Sequence, residues 1–273
     1  MFTPERQPIL MGILNVTPDS FSDGGQFATL DQALAQATKL HLDGATIIDV
    51  GGESTRPGAA AVSVSEELER VIPVIEGIRK LKLPVTVSVD TSKFEVAEKA
   101  VAAGATIIND VTGGTDTRLP KLLIDSNATI IAMHMQGTPR SMQENPVYPD
   151  GVVAAVSRFL SQRVRAFREF GVTADRIWVD PGIGFGKTVH HNLDLLRHLT
   201  TFARIGGKLV VGTSRKSFLA HLVHDNQMEL RHEGTVASNL WATTQGAGVL
   251  RVHDVAAMKR ALVTWSAIQD DSF

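Results

Sequence analysis

The sequence predicts an α/β fold, a (β/α)8 TIM barrel that forms a single domain over residues 1–273. Eight short, largely β-branched apolar runs alternate with eight longer segments in which apolar residues recur at helical spacing. Nearly continuous apolar runs are typical of parallel strands buried on both faces, and eight β-then-α units in 273 residues fit a closed barrel. An open doubly wound sheet would give the same alternation, so the pattern favours the barrel without excluding that alternative.

The predicted elements follow one another along the whole chain. The strands are Ile9–Val16, Thr46–Val50, Val85–Val89, Thr106–Val111, Thr129–Met135, Ile177–Val179, Lys208–Val211 and Val249–Val252. The helices are Asp31–Leu42, Ser65–Leu81, Phe94–Ala102, Asp116–Asp125, Gly151–Phe170, His190–His198, Glu233–Gln245 and Ala256–Ile268. Several helices run into a glycine before the next strand, as at Gly44, Gly104 and Gly246, which is typical of a helix C-terminus.

Composition narrows the classes of function. The net charge of −2 gives no overall attraction to nucleic acid or to an anionic membrane, so local groups must hold any anionic ligand. The absence of cysteine excludes disulfides, zinc thiolate sites and thiol nucleophiles. The N-terminal residues lack the pattern of an export signal, and no apolar stretch reaches the roughly 18 residues of a membrane span. We therefore expect a cytoplasmic protein.

Polar side chains collect at the carboxyl end of every predicted strand. They are Asn15, Asp49, Asp90, Asn109, His134, Asp180, Ser214, Arg215, Lys216, Arg251 and His253. In a barrel these strand ends open onto one face, which is where active sites lie. A charged or amide group at such a position is costly without partners, so the set predicts an active site. Some members, such as Asp49, and the neighbouring Asp110 are expected only to hold loop backbone.

Two strand ends carry more specific chemistry. Arg251 and His253 lie two residues apart and therefore on one side of their strand, where they would form a compact anion site. Ser88 and Asp90 likewise share a side, and a buried carboxylate there could bind the N–H groups of an amino heterocycle. The segment from Thr213 to Ser217 leads into a helix whose first N–H groups and basic neighbours favour an anion.

Three segments resemble known binding motifs only in part. GIGFGKT at 182–188 ends like a phosphate-binding P-loop, but Pro181 stands where its first glycine is required. His232-Glu233 begins like a zinc-protease helix, yet Val236 occupies the position of the second histidine. The pair His190-His191 is expected to begin a solvated helix rather than to bind a metal.

The segments together resemble the dihydropteroate synthase family. The matching stretches are MGILNVTPDSFSDGG (11–25), DVGGESTRPGA (49–59), SVDTSK (88–93), INDVTGG (108–114), MHMQGTP (133–139), DPGIGFGK (180–187), GTSRKS (212–217) and RVHDV (251–255). The resemblance implies a (β/α)8 barrel, a homodimer and an Mg2+-dependent transferase. An enzyme of this family would join 6-hydroxymethyl-7,8-dihydropterin pyrophosphate to p-aminobenzoate, release pyrophosphate and be a target of sulfonamides.

The resemblance also implies residue roles. Asn15 corresponds to the magnesium ligand, and Arg251 and His253 with the metal hold the diphosphate. The residues that match the pterin pyrophosphate site are Thr55, Asp90, Asn109, Asp180, Lys216, Arg251 and His253. Those that match the p-aminobenzoate surroundings are Phe21, Arg56, Pro57, Phe185 and Ser217. Arg251, His253 and Lys216 are the expected catalytic residues, acting on the leaving group rather than through a covalent intermediate.

Two alternatives stay open at this point. A methyltetrahydrofolate-dependent methyltransferase would share the pterin carboxylates but would need no diphosphate site. A non-catalytic pterin-binding module would show eroded strand ends, which this sequence does not. The loops at 17–25 and 51–60 are rich in turn residues, so we expect them to be mobile without ligand and to assemble the p-aminobenzoate site after the pterin pyrophosphate binds.

Overall fold

The computed structural model describes residues 7–17, 26–54, 58–223 and 231–269, and its central feature is a closed barrel of parallel strands. The strands are β1 (Ile9–Asn15), β2 (Ile47–Gly51), β3 (Thr86–Asp90), β4 (Ile107–Asp110), β5 (Thr129–Met133), β6 (Ile177–Asp180), β7 (Leu209–Val211) and β8 (Ala247–Val252). Each strand pairs with the next in the chain, and β8 closes onto β1 through the register Met11 to Arg251. The barrel prediction is confirmed, and the open sheet is wrong.

Helices follow the strands and pack outside them. They are α1 (Gln26–Asp43), α2 (Val64–Lys80), α3 (Phe94–Ala103), α4 (Leu119–Ser126), α5 (Val152–Glu169), α6 (Val189–Arg197), α7 (Leu199–Phe202), α8 (Ser217–Leu222), α9 (His232–Thr244) and α10 (Val255–Gln269). The eight predicted helices are all present. The short helix α7 was not predicted, because a single turn is too short to show an apolar period, whereas α8 is the helix expected after the segment from Thr213 to Ser217.

Local sequence explains several helix ends. Ser63 caps α2 by accepting from the backbone N–H of Glu66, whose carboxylate accepts in return from the N–H of Ser63. Thr188 and His191 form the corresponding reciprocal pair at the start of α6. Gly104 ends α3 in the left-handed region at φ 113°, a conformation that glycine adopts without steric cost.

The interior of the barrel is filled, which confines the site to one end. Seven buried side chains form an internal plug, namely Met11, Ile47, Ile107, Ile131, Trp178, Val210 and Val249. A second and larger apolar layer lies between the strands and the surrounding helices. The plug occupies the middle of the barrel. Polar side chains that point inward at the carboxyl ends of the strands therefore lie above an apolar layer that excludes water. Within the described ranges, no helix is long and apolar enough to cross a membrane.

Candidate active site

One recess at the carboxyl end of the barrel gathers most of the predicted site residues. It is lined by Asp90, Asn109, Val111, Met133, Asp180, Ile183, Phe185, Gly212, Lys216 and Arg251. Six of these were predicted, namely Asp90, Asn109, Asp180, Phe185, Lys216 and Arg251, and they come from five different strands or the loops that follow them. The parallel barrel brings them together because all its carboxyl ends meet on one face.

Arg251 joins two acidic strand ends inside the recess. Its Nε donates to Oδ2 of Asp49 and its Nη2 donates to Oδ2 of Asp90, each at 2.6 Å. The same Asp49 oxygen accepts from Nδ2 of Asn109 at 3.0 Å. The Asp49 side chain is fully buried and the Arg251 side chain is 18% exposed, so these contacts lie in a region of weak solvent screening. The prediction that Asp49 only holds loop backbone is wrong, since its carboxylate binds two site residues.

Burial shifts the titration of the acidic groups. Burial raises the pKa of Asp90 to about 7, against the opposing attraction of Arg251. Burial also raises the pKa of Asp180, while the backbone N–H of Gly182 and the charge of Lys216 oppose that shift. The carboxylates of Asp49 and Asp90 raise the pKa of Arg251 and outweigh its burial, so the guanidinium stays charged.

Asp180 serves both its own loop and the recess. One carboxylate oxygen, Oδ1, accepts from the N–H of Gly182 at 2.7 Å, and the residue also lines the recess. By contrast, Asp110 does what was predicted for it. Its Oδ1 accepts from the backbone N–H and the hydroxyl of Thr112 at 2.7 Å, which fixes the loop after β4.

The loop after β6 is compact because glycine permits it. Gly182, Gly184 and Gly186 all have positive φ, and a Cβ atom at Gly182 would collide with the backbone carbonyl of His134. This packing brings Phe185 into the recess, where the Nζ of Lys216 lies 3.8 Å from the centre of its ring. Two predicted residues are thereby joined in a cation–π contact.

Lys187 ends that loop as a buried ammonium group. Its Nζ contacts Nδ1 of His134 at 3.1 Å, the carbonyl of His134 at 3.2 Å and the carbonyl of Phe185 at 2.9 Å. Burial lowers the pKa of Lys187 to about 7, and burial with the nearby Lys187 charge lowers the pKa of His134 to about 3. The sequence analysis placed Lys187 in an incomplete P-loop and at the end of the family segment 180–187, but gave it no role. A lysine directly after a glycine loop in an otherwise apolar run was the available signal.

The two residues of the predicted anion site, Arg251 and His253, lie in different environments. Arg251 lines the recess, whereas His253 lies beside it with its Nδ1 2.9 Å from the hydroxyl of Ser214. Ser217 is the first residue of α8 and is exposed outside the recess. Thr55, Arg56, Pro57 and Phe21 lie outside the described residues. On either side of the first three, Glu53 accepts from the N–H of Val62 and pairs with Lys93.

Asn15 stands where an oxygen ligand for a cation could act. A Cβ atom on Gly51 would lie 3.7 Å from both Oδ1 of Asn15 and Oδ2 of Asp90, so the missing side chain of Gly51 leaves an opening edged by two oxygens. Amide and carboxylate oxygens are ligands suited to Mg2+, which otherwise keeps water and binds substrate phosphates. Among the described residues, no cluster of three or more histidine or acidic side chains could hold a metal ion by itself.

Comparison with known proteins identifies the family. The model of the family described as "Pterin binding enzyme" matches residues 11–253. Dihydropteroate synthase of Escherichia coli K12 is 46% identical over 255 residues, covering 93% of this chain and 89% of that protein. The Xanthomonas albilineans dihydropteroate synthase solved with 4-aminobenzoic acid superposes with a TM-score of 0.89 at 45% identity, over 96% of this chain and 93% of that one.

A second solved structure agrees with the first. The Yersinia pestis dihydropteroate synthase in a sulfonamide drug complex has a TM-score of 0.88 at 42% identity, over 96% of this chain and 94% of that one. A family match across nearly all the strand ends, together with relatives of this identity and coverage, shows that the chain belongs to the dihydropteroate synthase family of pterin-binding enzymes.

Proposed function

We propose that the chain is a transferase of folate biosynthesis that condenses 6-hydroxymethyl-7,8-dihydropterin pyrophosphate with p-aminobenzoate. The products are 7,8-dihydropteroate and pyrophosphate. The observation that carries this proposal is one recess lined by oxygen acceptors on the buried Asn109 and Asp180 and the largely buried Asp90, together with the cations Arg251 and Lys216.

The acceptor side of the recess suits a pterin. A dihydropterin is flat and presents an amino group and ring N–H groups along one edge. Asp90, Asn109 and Asp180 offer oxygens to those donors, and the buried surroundings exclude water that would compete for them. The side chains of Met133 and Phe185 supply apolar surface for the faces of the ring.

The cationic side of the recess suits the diphosphate. Arg251 and Lys216 line the recess and His253 lies beside it, and these three are the proposed catalytic residues. Positive charge and N–H donors near the leaving oxygen stabilise pyrophosphate as it departs. The C–O bond of the methylene breaks with its electron pair on the pyrophosphate, and the pterin ring delocalises the positive charge left on carbon. The neutral amine of p-aminobenzoate then forms the C–N bond and loses a proton to solvent. Catalysis therefore consists of positioning and charge stabilisation.

Mg2+ fits this arrangement as the cofactor. Asn15 is the proposed ligand, because its carboxamide oxygen faces the opening above Gly51 beside the carboxylate of Asp90. When bound, the metal supplies further neutralisation of the diphosphate charge.

The second substrate is proposed to bind nearer the surface. Thr55 belongs to the pterin pyrophosphate set, while Phe21, Arg56, Pro57, Phe185 and Ser217 surround p-aminobenzoate. The Xanthomonas albilineans relative was solved with 4-aminobenzoic acid and the Yersinia pestis relative with a sulfonamide drug, which supports both as ligands here. We further propose one domain over residues 1–273, a homodimer and a cytoplasmic location.

A coupled assay tests the proposed function against its alternatives. The purified chain is given both substrates with and without Mg2+, and pyrophosphate and 7,8-dihydropteroate are quantified together. Equal release of the two products supports the proposal. Pterin binding without pyrophosphate release would favour a non-catalytic module, and methyl transfer from methyltetrahydrofolate would favour the methyltransferase alternative, which the cationic recess of Arg251 and Lys216 argues against.

A further inference from the structure

Asp49 is a buried carboxylate that contacts the recess residues without lining the recess. Its Oδ2 accepts from Nε of Arg251 at 2.6 Å and from Nδ2 of Asn109 at 3.0 Å. The two donors come from β8 and β4, which lie on opposite sides of β2 in the order of the strands. One oxygen atom therefore links two site residues across the inside of the barrel.

The contact fixes which end of the Asn109 amide faces the ligand. An ionised carboxylate has only acceptors, so Asn109 must turn its NH2 group toward Asp49. The amide oxygen of Asn109 is then directed away from Asp49, and the residue lines the recess between Asp90 and Asp180. Asn109 consequently adds a third oxygen acceptor beside the carboxylates of Asp90 and Asp180, although an amide by itself could present either a donor or an acceptor.

The contact also fixes the plane of the Arg251 guanidinium. Asp49 takes the Nε–H and Asp90 takes an Nη2–H, so the two carboxylates together hold one side of the planar group. The guanidinium is thereby oriented by two neighbours before any ligand arrives. A pre-oriented group loses less conformational freedom when it binds a phosphate.

We propose that Asp49 is a positioning residue that sets the donor–acceptor specificity of the recess, through Asn109 for the heterocycle and through Arg251 for the diphosphate. This inference rests on the proposed function and deepens it. It predicts that what matters at position 49 is an acceptor at the place of Oδ2. A purely structural carboxylate would instead stabilise the fold without any dependence on Asn109 or Arg251.

The first experiment is a pair of double-mutant cycles read by calorimetry, with 6-hydroxymethylpterin as one probe and pyrophosphate as the other. Asp49→Ala is expected to weaken binding of each probe about tenfold, the size of one lost hydrogen bond to a buried partner. In an Asn109→Ala background its effect on the pterin should fall below about threefold, and in an Arg251→Ala background the same should hold for pyrophosphate. A tenfold effect that persists in both backgrounds would overturn the proposal.

Two matched variants separate positioning from stability. Asp49→Asn keeps an oxygen where both donors need one but removes the negative charge beside Arg251, so it should lose less affinity for 6-hydroxymethylpterin than Asp49→Ala does. Asp110→Ala removes a buried carboxylate of β4 whose hydrogen bonds go to its own loop at Thr112 and Gly114, and it should leave both probe affinities within about threefold of those of the native chain. Equal losses in Asp49→Asn and Asp49→Ala, or in Asp110→Ala and Asp49→Ala, would refute a role through the two donors.

The native chain offers a further test if Asp49→Ala does not fold. In 15N-labelled protein without ligand, the Nε–H of Arg251 and the Nδ2 protons of Asn109 should exchange slowly with solvent and shift little when 6-hydroxymethylpterin binds. Fast exchange of both, or a large shift of the Asn109 amide on binding, would contradict pre-positioning. If 6-hydroxymethylpterin fails to bind the native chain at all, the proposed function fails, whereas protected donors would still support the role of Asp49.

Discussion

Replacing Lys187 by methionine should change how the stability of the protein depends on pH. Methionine has nearly the same length but no charge, so Lys187→Met removes the buried titration and leaves most of the packing. In the native chain, burial lowers the pKa of Lys187 to about 7 from an ordinary value of 10.5. Between those values the unfolded chain carries the proton on this residue and the folded chain largely does not.

The sign and size of the effect follow from that difference. Stability rises with pH wherever the unfolded state binds more protons than the folded state. The pKa is near 7 in the folded chain and 10.5 in the unfolded chain. Between pH 7 and pH 9 the free energy of unfolding of the native protein should therefore rise by about 2 kcal/mol relative to that of Lys187→Met. Loss of the contacts to His134 and Phe185 changes the free energy of unfolding of the variant by an amount that does not depend on pH in this range.

The assay is urea unfolding of both proteins at several pH values between 7 and 9. Lys121→Met is the matched control, since the Lys121 side chain is 81% exposed and its profile should run parallel to that of the native chain. Parallel profiles for the native chain and Lys187→Met, or a native chain that loses stability relative to the variant as pH rises, would show that the ammonium form is not disfavoured by burial.

Three further outcomes are expected. Arg251→Ala should weaken binding of the pterin pyrophosphate by about 1.5–3 kcal/mol more than binding of the pterin without phosphate, and equal losses in calorimetry would argue against the anion role. Asp180→Asn should remain folded but lose about 10- to 100-fold in kcat/KM, because its oxygen keeps the contact to the N–H of Gly182 and its NH2 group then opposes the pterin N–H edge; near-normal turnover would make this carboxylate structural. A sulfonamide should bind more tightly when pyrophosphate and Mg2+ are present than to the protein alone, and equal affinity in both titrations would contradict ordered binding.

The sequence pattern favoured the barrel over an open doubly wound sheet, and it placed the site at the carboxyl ends of the strands. Parallel strands that are buried on both sides appear in the sequence as apolar runs at regular intervals. Polar residues at the carboxyl ends of such strands meet on one face of the barrel. The short helix α7 was not predicted because its four residues carry no periodic signal. The residues that line the recess, such as Asp180 and Lys216, were predicted from the strand ends and the family resemblance together.

The contacts of Asp49 and Lys187 could not have been predicted in the same way. Asp49 and Asn109 lie on strands that are not neighbours, so their contact depends on the tilt of the strands and the width of the closed barrel rather than on spacing in the chain. Lys187 follows a loop whose path is set by the positive φ of its glycines, and only that path turns the ammonium group inward to His134 instead of outward to water.

The ion pair between Asp49 and Arg251 has a consequence for synthesis on the ribosome. The two residues are 202 positions apart, and the acidic strand ends Asp49, Asp90 and Asp180 all leave the ribosome before Arg251 does. A nascent chain that lacks β8 therefore carries neighbouring negative charges without the guanidinium that balances two of them. Without β8 the carboxylates of Asp49 and Asp90 lack the guanidinium that contacts both of them, and the barrel closes around the recess only with its last strand.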